Sequence, residues 1–180
     1  MQGLPELLQP RALTRLQLPS GKFADLPICA PKFTKWTGQP PKFTFGNKPV
    51  LLHQGAPIFA ELLVLRLLEA EGWAGVWVSS YGGLKFLREM PEGPALTSDL
   101  IEIPDAKREF IEALTRSIGR VGGCFDVFAW RDDELIFCET KRRGHDQLRQ
   151  PQLGWIEAAL VAGISSDRLL VVEWSFAGSS

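Results

Sequence analysis

Two acidic residues and a lysine near the middle of the chain have the types and the spacing of a metal-dependent hydrolytic site. Asp126 lies in one apolar run, and Glu139 and Lys141 end the next one. Carboxylate oxygens bind hard divalent cations. A cation held there would acidify a water and neutralise charge building on a phosphate, so the pattern indicates phosphodiester hydrolysis. Lys141 could orient the water or stabilise the phosphate charge, and the sequence does not choose between these tasks.

Strand geometry says how these groups could meet. Side chains alternate along a strand, so Glu139 and Lys141 share one face, roughly 7 Å apart, while Thr140 faces the other way. The Thr140 carbonyl lies between them and could add a third oxygen ligand. A register shift of a residue or two would bring Asp126 against Glu139. Two acids so close raise each other's pKa unless a cation lies between them.

The same residues also have a purely structural interpretation. Asp126 could be a turn residue after Gly122-Gly123. Glu139 and Lys141 could be charges that discourage pairing at an exposed sheet edge. The short pattern of Asp, Glu and Lys arises often by chance, so residues elsewhere in the chain are needed to distinguish the catalytic from the structural interpretation.

A helix over residues 57–71 is predicted by its two ends. Pro57 suits a first helical position, and Gly72 suits the residue after the last. Glu61 shares an apolar face with Leu65 and Leu68. A carboxylate on such a face points inward and must have a partner, because burying it unpaired is costly.

The remaining elements follow from apolar periodicity and turn residues. We predict a strand at 75–79 ended by Tyr81-Gly82-Gly83 and a helix at 105–118 capped by Asp105 and stopped by Gly119. The stretch 84–104 between them is assigned to no element, although Pro91, Gly93 and Pro94 mark loop. Hairpin strands at 124–130 and 134–141 flank a turn at 131–133. A helix at 151–162 and a strand at 168–174 follow. This order predicts an α/β fold, a mixed β-sheet flanked by helices.

Residues 1–50 form a Pro- and Lys-rich segment that we interpret as a basic N-terminal arm, before a domain at 51–180 with an insertion at about 84–118. The arm carries a net charge of +5 and the remainder −6, for a total of −1. This asymmetry could serve phosphate binding, or the arm could be a solvated leader. Its aromatic residues predict that it packs against the rest of the chain.

Composition excludes several classes of protein. The chain has 180 residues, 45% hydrophobic and 23% charged, which is globular. No apolar stretch approaches the roughly 18 residues of a membrane span, and no signal-peptide core opens the chain. The three cysteines have no metal-ligand spacing. Cys124 and Cys138 lie inside apolar runs and are predicted to be buried free thiols in a reducing compartment, hence a cytoplasmic protein. Only two histidines argue against a histidine-rich zinc site.

The residues after Lys141 resemble the signature of a nuclease group. Asp146-Gln-Leu148, three spacers and Gln152-Leu-Gly-Trp155-Ile156 are similar to the motif of the VRR-NUC (virus-type replication–repair nuclease) group of the PD-(D/E)XK nuclease superfamily. Gly123-Cys-Phe125-Asp126 matches the strand that precedes it in that group, with Phe125 in place of the usual proline. The resemblance covers roughly 57–174 and is sharp over 122–160.

This resemblance implies a restriction-endonuclease-like fold and a DNA nuclease that uses Mg²⁺ or Mn²⁺. The metal ligands would be Asp126, Glu139 and the Thr140 carbonyl, with the Thr140 side chain facing away, and Lys141 would be the catalytic lysine. Gln152 would begin a helix and point back towards the site. The glutamate of the family's first helix maps to Glu61 by position only, and a structural buried acid is the alternative.

Arg142, Arg143 and His145 follow the motif and could contact DNA phosphates, or form a solvated turn. The insertion could shape a substrate cleft or a dimer contact.

Three functions stay open at this point. The first is a structure-selective DNA endonuclease or exonuclease in repair, recombination or mobile-element biology, acting on branched or flapped DNA as a homodimer. The second is a non-catalytic DNA-binding or assembly subunit on the same scaffold. The third is a protein unrelated to nucleic acid, which predicts no affinity for divalent metal.

Overall fold

A computed structural model describes residues 3–80, 83–97, 99 and 101–178. Over these residues the chain forms three α-helices and ten β-strands. The helices are Ala60–Ala70 (α1), Asp105–Ile118 (α2) and Gln150–Val161 (α3). The strands are Ala12–Gln17 (β1), Phe23–Cys29 (β2), Lys32–Phe33 (β3), Leu51–His53 (β4), Ala56–Ile58 (β5), Ala74–Ser79 (β6), Lys85–Leu87 (β7), Val127–Arg131 (β8), Glu134–Arg142 (β9) and Leu169–Phe176 (β10).

One mixed sheet organises the described chain. Its strand order is β1-β2-β10-β9-β8-β6-β7, with β3 beside the end of β10. Strand β10 runs parallel to β2, β3 and β9, and the other pairs in this sheet are antiparallel. Strands β4 and β5 form a separate two-stranded pair. The predicted α/β architecture with a mixed sheet is confirmed.

Helices cover both faces of the sheet, because the central strands are apolar on both sides. In β8, Val127 and Ala129 pack in the cluster that contains α1. Phe128 and Trp130, one residue out of phase, pack with α2 and α3 in the second cluster. Phe137 lies under that second layer and stacks on Phe128, with ring centroids 5.0 Å apart. The sheet therefore holds its two hairpin strands between two apolar layers.

The first helix starts later than the sequence predicted. Pro57 lies in β5 and not at the first helical position, so that assignment was wrong. Gln54 and Gly55 have φ of 49° and 82° and close a tight β4–β5 hairpin. Because the second strand of this hairpin extends to Ile58, the helix cannot begin before it. A proline fits there because the pair is short and Pro57 lies on its β5 strand, whereas the other edge, that of β4, is bridged by Lys35.

The other two helices lie close to their predicted bounds. Helix α2 spans 105–118 as predicted, and Gly119 ends it with a left-handed φ of 70°. Its N-cap is Pro104 and not Asp105, which occupies the first turn. There a carboxylate interacts favourably with the helix dipole. Helix α3 is shifted by one residue, to 150–161.

Part of the N-terminal segment belongs to the sheet. Strands β1, β2 and β3 all lie within the first 33 residues, and β2 and β3 both pair with β10. Phe33 is buried against Trp174, with ring centroids 6.1 Å apart. Phe45 packs edge-on against Phe59 next to α1. The sequence had predicted neither these strands nor β7, which lies in the stretch 84–104 that was assigned to no element.

The hairpin turn was predicted at its observed place. Arg131 pairs with Glu134, so Asp132 and Asp133 make a two-residue turn. Asp132 has a φ of 52°, a conformation that aspartate tolerates better than most residues. The predicted strand end at Tyr81-Gly82 lies outside the described residues.

Cys124 and Cys138 are buried free thiols, as predicted, and so is Cys29, for which the sequence made no such prediction. In the described part of the chain, no helix is long and apolar enough to cross a membrane.

Candidate active site

Asp126 and Glu139 lie opposite each other at the end of the β8–β9 hairpin. Val127 pairs with Cys138, so one further step of the antiparallel register places Asp126 across from Glu139. The Asp126 carboxylate is bound to the second strand by Thr140, whose backbone N–H donates to Oδ2 at 2.8 Å. The hairpin thus brings together the two acids that the sequence singled out.

The sequence predicted that the Thr140 side chain faces away from the acids that would bind the metal, and this prediction was wrong. Its hydroxyl donates to the same Asp126 oxygen at 2.6 Å. The expectation failed because alternation separates Thr140 from Glu139 on one strand but says nothing about an acid arriving from the neighbouring strand. Thr140 therefore orients Asp126 through its side chain as well as its backbone.

Glu139 is the most deeply buried acid of the site. It is 2% exposed, and its Oε1 accepts hydrogen bonds from the Lys141 ammonium and from the Gln152 amide. Its Oε2 is buried with no hydrogen-bond partner. Leaving a charged oxygen unsatisfied is costly, and this oxygen can still accept a hydrogen bond or a cation.

Lys141 lies on the same face as Glu139, as alternation along β9 requires. It is 8% exposed, and its ammonium also donates to the Thr140 carbonyl oxygen at 3.3 Å. The carbonyl that the sequence assigned as a metal ligand is therefore shared with this lysine.

Gln152 reaches the acids from the first turn of α3. Its Oε1 accepts the Arg149 backbone N–H at 2.8 Å, while its Nε2 donates to Glu139. One end of the amide therefore satisfies an otherwise unpaired helix-end donor, and the other end holds the acid. Pro151 suits this first turn because it has no N–H to satisfy.

Glu61 projects into the same site from the first turn of α1. It is 6% exposed and forms an ion pair with Lys48, which follows the turn at residues 45–47. The Lys48 ammonium also lies 5.4 Å from the centroid of the Trp77 ring. Sequence reasoning required a partner for Glu61 but did not find Lys48. The only signal was the run of lysines in the N-terminal segment.

The charges of this cluster are strongly coupled. Burial, and then Glu61, raise the pKa of Asp126, while Lys48 and Lys141 lower it. Burial and then Asp126 raise the pKa of Glu139 well above its ordinary value, and Lys141 again opposes the shift. Burial lowers the pKa of Lys48, but Glu61, Asp126 and Asp146 raise it, and the result is a raised pKa. Four acids and two lysines thus surround one cavity of about 230 Å³.

The donor atoms fit a hard cation of the magnesium type. Within the described residues, no group of three or more His, Cys, Asp or Glu side chains is arranged to hold a metal ion. Mg²⁺ does not require one, since it keeps several waters and is usually held by one or two carboxylates. Asp126 and Glu139 are such a pair, and the unpartnered Oε2 of Glu139 supplies a vacant acceptor.

The basic residues after β9 do not line this cavity. Arg143 and His145 are exposed in the turn that follows the strand. The Arg142 guanidinium lies 4.9 Å from the centroid of the Phe176 ring. His145 instead lines a neighbouring cavity of about 540 Å³ together with Glu173. A role for His145 as a base at the acids is therefore unsupported, and an outer surface role stays open for all three.

Comparison with protein-family models, with characterised proteins and with solved structures finds no match for this chain.

Proposed function

We propose that this chain is a Mg²⁺- or Mn²⁺-dependent DNA nuclease that hydrolyses phosphodiester bonds. The observation that carries the proposal is the convergence of Asp126, Glu139, Lys141, Gln152 and Glu61 around one cavity. These residues come from two strands and two helices separated by up to 91 positions. An accidental sequence pattern would have no reason to close into one site.

Each residue has a task that follows from its contacts. Asp126 and Glu139 would hold the cation, which supplies Lewis acidity for an attacking water and for the phosphate oxygens. Gln152 and Thr140 orient the two carboxylates through hydrogen bonds. Lys141, whose ammonium donates to Glu139, would place its positive charge beside the negative charge that develops on the phosphate.

The fold supports the same proposal. Helix α1, strand β6, the β8–β9 hairpin, helix α3 and strand β10 follow each other in the order that the sequence predicted. We propose that this arrangement is of the restriction-endonuclease-like class, in which a mixed sheet brings the hairpin acids and the following helix together. The VRR-NUC resemblance, drawn from the motif at 139–156, points to the same class.

The substrate side of the proposal rests on charge. Arg143 and His145 are exposed and close in sequence to Asp146, which lines the cavity, and they could position phosphates of DNA. We propose branched or flapped DNA as the substrate and repair, recombination or mobile-element biology as the setting. A homodimer stays a prediction.

A metal-dependent cleavage assay with a matched pair of variants tests this proposal. Purified protein is incubated with nicked, flapped, branched and linear DNA in Mg²⁺, Mn²⁺ or EDTA. Lys141→Met removes the ammonium at the acids, whereas Lys22→Met removes an exposed one far along the chain. We expect cleavage by wild type and Lys22→Met only with metal, and none by Lys141→Met.

The other outcomes separate the competing functions. DNA binding without cleavage by any of the three proteins would favour the non-catalytic subunit. Neither binding nor cleavage would favour a protein unrelated to DNA. Equal cutting by Lys141→Met and wild type would reveal a contaminating nuclease, and circular dichroism of each variant shows whether it is folded.

A further inference from the structure

A second and larger cavity adjoins the candidate active site. Its volume is about 710 Å³, and it shares Lys48 and Asp126 with the cavity that holds the acids. Nothing in the proposed hydrolysis uses this space. Because the two cavities meet at Asp126, a group bound in the larger one lies next to a phosphate bound at the acids.

The lining of this cavity combines an aromatic platform with polar groups. Phe45 is half-buried and lines the cavity, and its ring packs against the rings of Phe43 and Phe59. Ser79, Ser80 and Lys85 add hydroxyl and ammonium groups. A flat apolar ring flanked by a few hydrogen-bonding groups is the environment in which proteins hold a nucleobase.

The backbone that presents Phe45 and Lys48 is itself unusual. Phe45, Gly46 and Asn47 have φ of 46°, 86° and 60° in succession. Left-handed conformation is strongly disfavoured for a bulky aromatic residue, and such strain concentrates where function requires it. The turn places the Phe45 ring in the larger cavity and the Lys48 ammonium at its junction with the acids.

The volume of the cavity limits which part of a DNA substrate can enter it. About 710 Å³ falls within the roughly 300–1,000 Å³ of pockets that enclose small ligands. A stacked duplex cannot enter such a space, whereas a single base outside the stack can. With a base in this cavity, the phosphate of the same nucleotide would lie beside the Lys48 ammonium.

We propose that this cavity receives one unpaired nucleotide of the DNA, the one adjoining the scissile phosphate, with its base on Phe45 and its phosphate at Lys48. This inference rests on the proposed nuclease function and names the feature of DNA that the site selects. The enzyme then cuts beside an unpaired nucleotide in preference to a continuous duplex.

The test compares two DNA duplexes that each carry one unpaired nucleotide, in one case with its base and in the other abasic. Binding is measured by fluorescence anisotropy in EDTA, so that cleavage plays no part. We expect the wild-type protein to bind the base-bearing duplex about 5- to 150-fold more tightly, the range for one base–aromatic stack. This comparison needs no variant, and equal binding would overturn the proposal.

Three variants locate the effect. Phe45→Ala removes the platform, and Ala95→Trp fills the cavity from an exposed position on its lining. Both should bind the two duplexes equally. Phe23→Ala removes an exposed ring that does not line the cavity, and this control should keep the wild-type ratio. A ratio that survives Ala95→Trp would place the base elsewhere and overturn the proposal.

Cleavage of the same duplexes in Mn²⁺ separates this inference from the one on which it rests. Cleavage without any preference for the base-bearing duplex leaves the nuclease function intact and overturns the nucleotide pocket. Base-dependent binding without cleavage overturns the nuclease function, and the assignment of a cut site beside the pocket fails with it.

Discussion

Asp126→Asn should stabilise the metal-free protein and abolish its response to divalent cations. The substitution keeps a carbonyl oxygen that can accept both hydrogen bonds from Thr140, now 2.8 and 2.6 Å long. It removes a negative charge whose ionisation is opposed by burial and by Glu61. It also removes a neighbour that helps raise the pKa of Glu139.

The magnitude follows from the direction of these pKa shifts. Both acids have a raised pKa in the folded protein, so above their ordinary pKa of about 4 the folded state binds more protons than the unfolded state. The free energy of unfolding then falls as pH rises, by about 1.4 kcal/mol per pH unit for each acid and about 2.7 for both. The fall stops once the pH exceeds the raised pKa values.

Asp126→Asn removes one of the two titrations and weakens the other. The slope of unfolding free energy against pH should therefore fall by at least half. At pH 8 the metal-free variant should be more stable than wild type by about 1.4 kcal/mol for each unit by which the pKa of Asp126 had been raised. Each kcal/mol corresponds to about 2–4 °C in Tm for a chain of this size.

Urea unfolding followed by tryptophan fluorescence measures this effect, since the chain contains six tryptophans. Profiles from pH 4.5 to 9 in EDTA give the slopes, and titration with Mn²⁺ gives the metal response. Wild type should gain about 2.7 kcal/mol at a metal concentration of 100 times Kd, and the variant almost nothing. Asp25→Asn, on an exposed part of β2, is the control and should behave as wild type.

A lower stability of Asp126→Asn than of wild type at pH 8 without metal would contradict this prediction. That result would mean that Lys48 and Lys141 stabilise the ionised carboxylate more than burial and Glu61 destabilise it. An unchanged response to Mn²⁺ would separately show that the cation binds elsewhere.

Three further predictions follow from the same structure. Lys48→Met should lower the free energy of unfolding by about 1–3 kcal/mol, because Glu61 stays buried without its cation; adding Glu61→Gln should recover part of the loss in urea unfolding. Gly123→Ala should destabilise the fold by more than about 1 kcal/mol, and by more than Gly119→Ala. Both glycines have a left-handed φ, but only at Gly123 would the new Cβ lie 2.5 Å from Pro151. The buried cysteine thiols should not react with a disulfide reagent at pH 8 until urea is added, since burial raises the pKa of Cys29 to about 12.

The elements around the site could be predicted because their signals are local. The α2 helix and its end at Gly119 depend on periodicity and on one glycine. The hairpin turn at Asp132 depends on residues that tolerate a left-handed backbone. Such preferences act over a few residues, so a sequence states them without knowledge of the rest of the fold.

Strand pairing between distant segments could not be predicted from such local signals. Strand β2 contains Pro27 and lies in a proline-rich segment, yet it pairs in parallel with β10 more than 140 residues later. Pro57 had the local signature of a helix start but lies in a hairpin strand. In both places tertiary pairing overrides the local preference, because burial of strand surface outweighs differences in propensity of about 1 kcal/mol or less.

The sequence by itself determined which side chains are suited to chemistry: two acids and a lysine at strand spacing, and an amide at the start of the next helix. Only the tertiary structure decided that Lys48 pairs with Glu61, that Thr140 holds Asp126, and that one oxygen of Glu139 has no partner. The physical reason is the sequence separation over which each interaction acts. Backbone geometry sets spacing within one element, whereas the partner of a buried charge depends on which distant segment folds against it.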